Sequence, residues 1–172
     1  MSADAEALLE KVAALLGADV VDKHAHRGDA TVLVRLARLR ECLRRLRDDP
    51  QLAYNVLMDV TAVDYLGEEP RFELVYHLAS IDAKPRDDAP SALRSRLRVK
   101  ARVPESPCEA DSVCALWAAA NWMEREVFDM YGIVFRDHPD PRRILLYDEF
   151  KGHPLRKDYP KERRQPLIGP RN

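Results

Sequence analysis

Glycine is scarce in this sequence: six residues among 172, scattered singly. That excludes a glycine-rich loop cradling phosphates, and no G-x-S-x-G turn is present to expose a nucleophile. The three cysteines, Cys42, Cys108 and Cys114, include no C-x-x-C spacing. They argue against a disulfide framework, a zinc site and a four-thiolate iron–sulfur cluster held by this chain alone. A reducing compartment is the setting such cysteine usage fits. No uninterrupted apolar run approaches the ~20 residues of a membrane span. The acidic start MSADAEALLEK lacks a basic region followed by an apolar run, so neither a signal peptide nor a transit peptide is expected. Any membrane association is expected to come through a partner. Charge of one sign is also missing: the net charge of −1 offers no global field toward nucleic acid or anionic lipid.

The length suits one domain with its own core, extended by an arm. The charge is unevenly placed. Residues 136–172 hold 10 Lys and Arg against 6 Asp and Glu, whereas residues 1–135 hold 18 against 23. A basic arm on an acidic body fits that division; the plainer account is a solvated surface. The arm also carries six of the twelve prolines. Its apolar residues Ile144, Leu145, Leu146, Phe150 and Tyr159 are spaced as anchors, which a disordered tail usually lacks.

Periodicity sets out the body. Leu8, Leu9, Val12, Leu15 and Leu16 predict a helix over 3–16, stopped by Gly17. Two strands over 20–26 and 30–34 flank a Gly28-Asp29 turn. Leu36, Leu39, Leu43 and Leu46 share one face of a second helix over 36–47, with arginines on the other. Strands are expected over 53–63, 71–79 and 93–103, with a polar, proline-containing loop over 81–92. In the last strand Leu97, Val99, Ala101 and Val103 alternate with Arg96, Arg98, Lys100 and Arg102. An edge or solvent face accounts for that ladder of charge; docking to an acidic partner is the functional alternative. A third helix is expected from a cap at Asp111 or Ser112 to about Met130, with Gly132 ending it and Ile133-Val134-Phe135 leading out. The result is an α+β fold with a mainly antiparallel sheet packed with helices. Two units follow: an α+β domain over 1–135 and an extended, proline-rich arm over 136–172.

The stretch from Trp117 to Tyr159 concentrates histidines, acids and aromatics. His138, His153, Asp140 and Asp158 could be drawn into a metal site, but no pair has helix-face ligand spacing. Glu124, Glu126 and Asp129 could supply paired acids, although Arg125 stands among them for structural ion pairs. Cys114 near a helix start would favour a thiolate, but it lacks a local histidine, and a small buried residue is the simpler role. Arg142-Arg143 and Arg163-Arg164 near Tyr147 and Tyr159 could meet nucleic acid. The acids Asp137, Asp140, Asp148, Glu149 and Asp158 would repel it, so no nucleic-acid partner is expected. The residues by themselves support a domain presenting a charged, aromatic arm to protein partners.

The same stretch resembles a known family. Glu124-Arg125-Glu126, Phe128-Asp129-Met130-Tyr131-Gly132-Ile133, His138-Pro139-Asp140 with Arg142-Arg143-Ile144-Leu145, and Gly152-His153-Pro154-Leu155-Arg156-Lys157-Asp158-Tyr159-Pro160 carry the likeness. They are similar to the motif of the 30 kDa subunit family of NADH-quinone oxidoreductase, respiratory complex I. The likeness covers most of residues 50–160. The chain departs at Asp137, where the family usually has glycine, and at Pro141, where an aliphatic residue is usual. Aspartate tolerates a positive φ better than most residues.

The resemblance implies a scaffold in the peripheral arm of the complex, with no catalytic residue, cofactor or metal on this chain. FMN and iron–sulfur clusters would lie elsewhere in the complex, which passes electrons from NADH to quinone coupled to ion translocation. The implied partners are the large quinone-site subunit of the 49 kDa type, the subunit holding the terminal iron–sulfur cluster and other peripheral-arm subunits. The implied location is the cytoplasmic face of the bacterial inner membrane. The implied interface comprises Glu124, Arg125, Glu126, Phe128, Asp129, Tyr131, Gly132, His138, Pro139, Asp140, Arg142, Arg143, Gly152, His153, Pro154, Arg156, Lys157, Asp158 and Tyr159. Within it the arginines and Lys157 would bond to acidic partner surfaces, and the aromatics would anchor its core. The equivalent subunit of a related membrane-bound hydrogenase complex carries the same motif and is the alternative.

Overall fold

The computed structural model describes residues 3–81, 93–162 and 165. Helix α1 (Ala3–Leu16) buries Ala5, Leu9, Val12 and Leu16, one stripe at helical spacing. Gly17 leaves it with φ 61°, a backbone that glycine adopts without steric cost. Strands β1 (Val20–His24) and β2 (Thr31–Val34) form the expected antiparallel hairpin. The second helix starts as a 3-10 turn over Leu36–Arg38 and becomes α2 (Leu39–Asp48). Its buried face is Leu39, Cys42, Leu43 and Leu46. Each fully buried leucine contributes roughly 1.5–3 kcal/mol, so this short arginine-rich helix is held by packing rather than by propensity. Arg45 also donates to the Leu15 carbonyl, which joins α2 to the end of α1.

Strands β3 (Val56–Asp64), β4 (Phe72–Ile81) and β5 (Leu93–Val103) complete a five-stranded sheet in the order β1-β2-β5-β4-β3. Every pairing is antiparallel except β2 with β5. Phe72, Leu74, Tyr76 and Leu78 pair with Val103, Ala101, Val99 and Leu97, and all eight are buried on the core face. The ladder of charge in β5 lies on the opposite face of an interior strand, not at an edge. Its cations meet acids of this chain: Lys100 with Glu73 at 2.8 Å, Arg102 with Glu68 at 2.9 Å and Arg98 with Asp29 at 3.6 Å. The loop expected over 81–92 falls, beyond Ile81, outside the described residues.

The third helix differs from its expected span. Helix α3 covers only Ala120–Tyr131. Asp111 ends a short strand, β6 (Glu109–Asp111), paired in parallel with β7 (Val134–Arg136). Residues 113–119 run as tight turns, with the Leu116 and Trp117 amides both donating to the Val113 carbonyl. The cause is Glu124, whose Oε1 accepts the Val113 amide at 2.7 Å. In one continuous helix those residues would stand about 16 Å apart along the axis. The apolar stripe is still buried at Val113, Trp117, Ala120, Val127 and Met130, because the turns keep it facing the core.

Residues 137–162 contain neither helix nor strand. The boundary expected between residues 135 and 136 falls inside β7.

Candidate functional site

Helix α3 positions the residues of the motif. Two of its carboxylates, Glu124 and Asp129, are fully buried. Residues five apart on an α-helix point about 140° from each other, so the two acids serve different surroundings.

Glu124 faces the turn before the helix. Besides the Val113 amide, it accepts the Cys114 thiol at 3.4 Å, and His138 Nε2 lies 3.9 Å away. Burial pushes the Glu124 carboxyl above its ordinary pKa, against the bonds it accepts from Val113, Ser112 and Cys114. Burial likewise pushes the Cys114 thiol up to about 11. The His138 Nδ1 accepts the Asp140 amide at 3.0 Å, so in neutral imidazole the proton sits on Nε2 and is donated to the Asn121 carbonyl at 3.1 Å. Donor atoms of Cys114, Glu124 and His138 lie within 4.8 Å of one another, the spacing of a metal ligand set. Only Glu124 presents lone pairs; the Cys114 thiol and the His138 Nε2–H present protons. A thiol and an Nε2–H must both lose a proton before either can ligate.

Asp129 faces the segment after β7. Its Oδ2 accepts the amides of Ile144, Leu145 and Leu146 at 3.2, 2.9 and 2.8 Å, and its Oδ1 meets Arg143 Nη1 at 2.5 Å. Burial raises its pKa, but the three amides and the guanidinium outweigh that and hold it below the usual carboxylate range. Arg125 reinforces the attachment by donating to the carbonyls of Arg142 and Arg143 at 2.9 and 2.8 Å. It also pairs with Asp140 at 3.2 Å, and Arg142 makes a two-point contact with the same carboxylate at 2.6 and 2.9 Å. These two guanidiniums, Arg142 first, bring the Asp140 carboxyl down to about 2.

The last carbonyls of α3 find partners in residues 153–156. His153 Nδ1 donates to the Asp129 carbonyl at 3.0 Å, the Leu155 amide to Met130 at 3.1 Å and Arg156 Nε to Tyr131 at 2.5 Å. A helix otherwise leaves these groups unbonded, and a guanidinium there also suits the negative end of the helix dipole. Gly132, with φ 76°, lets the chain turn away. A Cβ on it would lie 2.6 Å from His153 Cδ2. Burial lowers the His153 pKa, and its ring packs edge-on against Phe128 at 5.9 Å.

A third attachment lies at the end of β3. Arg71 grips buried Asp64 through two nitrogens at 2.9 and 2.8 Å, and also reaches Glu105 at 2.6 Å and Asp158 at 2.9 Å. The Lys157 amide donates to Asp64 at 2.8 Å. Arg71 and Arg156 both stack on Phe72, at 4.9 and 5.0 Å from its centroid. Tyr147, Phe150 and Tyr159 form a ladder of rings at 5.6 and 6.1 Å. Gly152, with φ 100°, backs onto Tyr159, whose Cε2 would lie 2.9 Å from an added Cβ.

The motif residues are thus brought together, but mainly onto their own domain. Arg125, Asp129, Asp140, Arg142 and Arg143 form one cluster, and Gly132, His153 and Arg156 another. Arg143, expected to face an acidic partner, is spent on Asp129. Glu126 is exposed and does not join Asp129. His138 and His153 do not converge: they bond to carbonyls eight residues apart on α3, about 12 Å along its axis. Pro139 is exposed, Tyr131 and Pro154 are half-buried, and Arg163-Arg164 lies outside the described residues. Asp137 does adopt a positive φ, 61°, and accepts a bond from Arg40 at 2.9 Å. Arg71 and Glu105 were not among the residues expected at the site. The hairpin of β3 and β4, which pairs Asp64 with Phe72, is the signal that places Arg71 beside Asp64. Trp122 on α3 is 70% exposed.

Comparison with known proteins aligns with this geometry. The family described as "Respiratory-chain NADH dehydrogenase, 30 Kd subunit" matches residues 32–165. An NADH-quinone oxidoreductase subunit of Geobacter metallireducens is 52% identical over 144 residues, covering 83% of this chain and 82% of the relative. The protein of the same name from Citrifermentans bemidjiense is 51% identical over 141 residues, covering 82% and 80%. Among solved structures, Nqo5 of the trypsin-resistant fragment (1-134) superposes with a TM-score of 0.63 at 31% identity, over 78% of this chain and 97% of that one. A chain of the membrane-bound sulfane sulfur reductase, an archaeal respiratory membrane complex, gives a TM-score of 0.72 at 22% identity over 92% and 87%, a likeness of fold.

Proposed function

The chain belongs to the respiratory-chain NADH dehydrogenase 30 kDa subunit family, and from that premise we propose that it is a structural and assembly subunit of the peripheral arm of NADH-quinone oxidoreductase. One observation carries the structural role. Asp129, His153 and Asp158, three of the motif residues that could serve catalysis, are engaged in bonds that fasten residues 137–162 to α3 and to the end of β3. The motif then builds a rigid surface rather than a reaction centre.

In this reading the chain binds no cofactor or metal, and FMN and the iron–sulfur clusters reside on other subunits. Support comes from the high-pKa thiols of buried Cys42 and half-buried Cys114 and from the Nε2–H that His138 donates to the Asn121 carbonyl. The finer partners are the quinone-site subunit of the 49 kDa type and the subunit with the terminal iron–sulfur cluster. The surface of residues 136–172 would lie against them. No helix among the described residues is long and apolar enough to cross a membrane, which agrees with a peripheral position that we place on the cytoplasmic face. The alternative, an equivalent subunit of a membrane-bound hydrogenase complex, draws only on likeness of motif and fold. Relatives 42–52% identical that bear the name of an NADH-quinone oxidoreductase subunit favour the first reading.

Affinity purification of the tagged chain from native membranes tests the proposal. The expected result is a large assembly with NADH–quinone activity. Recovery only as a lone monomer, from membranes and soluble fraction alike, would overturn it.

A further inference from the structure

We propose that His153 makes residues 152–159 an acid-sensitive clip: the neutral ring holds this segment on the last turn of α3, and a second ring proton releases it. The clip is a property of this chain alone and does not depend on the subunit role.

The Asp129 carbonyl can only accept, so the bond from His153 Nδ1 at 3.0 Å places the proton of the neutral ring on Nδ1. Nε2 is then the atom that a second proton must enter. Its surroundings oppose a cation. A Cβ on Gly132 would lie 2.7 Å from His153 Nε2 and 3.0 Å from Arg156 Nη2, so the ring nitrogen and the guanidinium converge on the open face of that glycine. Arg156 is fixed there, because its Nε donates to the Tyr131 carbonyl at 2.5 Å and its guanidinium stacks on Phe72. Arg143, which donates to the Gly152 carbonyl at 3.2 Å, adds a second positive charge.

The remaining titratable groups do not offset these two. The Asp129 carboxylate favours a charged ring, but Arg143 and three amides already engage it. Asp158 is turned to Arg71. The Cys108 thiol, 3.9 Å from Arg156, and the Tyr131 phenol are both raised by burial and stay neutral. Burial above all, with the two guanidiniums, outweighs the Asp129 carbonyl and carboxylate and holds the ring below its ordinary pKa.

Once the segment leaves α3, the ring meets water and regains its ordinary pKa of about 6.5. The released segment then binds a proton that the attached one excludes. Attachment therefore weakens as pH falls through about 6.5, and goes on weakening down to the pKa of the attached ring. Release is concerted: the Leu155 amide leaves Met130, Arg156 leaves Tyr131, and the last carbonyls of α3 turn to water. The attachment of residues 144–146 does not share this titration, because the Asp129 carboxyl is held below the usual carboxylate range. The surface built by residues 152–159 is thus present at neutral pH and lost in acid.

Residue-resolved hydrogen exchange of the full chain by NMR, between about pH 7.5 and about pH 5, tests the clip. The protection factor of the Leu155 amide should fall below about pH 6.5 by up to about tenfold per pH unit, the limit for one proton. Those of Ile144, Leu145 and Leu146 should stay level. His153→Asn keeps an N–H for the Asp129 carbonyl and has nothing to titrate, so in that variant the Leu155 amide should lose its pH dependence. Should the variant fail to fold, the NMR titration of the wild-type ring decides, and His153 should titrate below about 6.5. A Leu155 protection factor that stays level across the range, a parallel fall in wild type and His153→Asn, or a ring that titrates at or above about 6.5 would each overturn the proposal.

Discussion

The carboxylate of Asp129 stands 2.5 Å from the guanidinium of Arg143, fourteen residues later, and the same carboxylate accepts the next three amides of the chain. One buried acid thus orders a stretch with no helix or strand of its own. Removing it leaves three amides and a mostly buried guanidinium without their acceptor. Asp129→Ala is expected to cost about 3–5 kcal/mol of stability, the scale for breaking one side of a buried pair. Denaturant titration measures the loss, and hydrogen exchange should show the amides of 144–146 opening first. A midpoint within error of wild type would remove Asp129 from this role.

Arg71 holds Asp64, and both side chains are almost fully buried, at 3% and 2% exposure. Arg71→Met is expected to cost about 3–5 kcal/mol because Asp64 stays behind as an uncompensated charge. Lysine should rescue it poorly, since one ammonium cannot reproduce the two-point contact. The bond from Arg71 holds the Asp64 carboxyl below its ordinary pKa. A group shifted in that direction stabilises the fold above its unfolded pKa, and the contribution is lost as pH falls through the folded value. Wild type should therefore lose stability in acid below about pH 4, and Arg71→Met should show a shallower loss there. Parallel acid limbs for the two proteins would contradict the assignment.

At Gly132 two requirements coincide: a left-handed backbone and the ring of His153 against the missing Cβ. Gly132→Ala should cost the ~1–2 kcal/mol of left-handed strain plus a steric part. Adding His153→Ala should relieve only the steric part, so the double variant should be less destabilised than the sum of the single ones. Thermal midpoints of the four proteins give the coupling, and strict additivity would show that the ring yields freely.

Glu124 is opposite in sign to the aspartates. Burial raises its pKa, so its ionised form costs stability above the folded pKa, and that cost disappears as pH falls toward the unfolded value. Glu124→Gln keeps an oxygen for the Val113 amide and carries no charge. Its stability relative to wild type should be greater at neutral pH and decline as the solution is acidified toward the ordinary carboxylate range. Glu124→Ala should be destabilised throughout by about 1–3 kcal/mol, since it orphans the Val113 amide. Urea titrations at several pH values separate the two, and a pH-independent difference between Gln and Glu would show that the Glu124 carboxyl titrates alike in the folded and unfolded chain.

Periodicity alone determined the order of helices and strands, the antiparallel character of most of the sheet and the apolar faces of α1 and α2, because burial repeats with the geometry of each element. The motif from Glu124 to Pro160 likewise pointed to the family without coordinates. Tertiary structure decided where the charges go. Asp129 finds Arg143, Asp64 finds Arg71, which Asp158 also meets, and Glu124 finds an amide eleven residues back, so that the helix starts at Ala120 rather than near Ser112. A local pattern encodes whether a side chain faces the core, because neighbours three or four residues away fix that. It does not encode which of 28 cations an acid meets, because that depends on how distant segments cross once the core has closed. For the same reason Arg125, Arg143 and Arg156 of the motif bond within this chain, to groups 14 to 25 residues away in sequence.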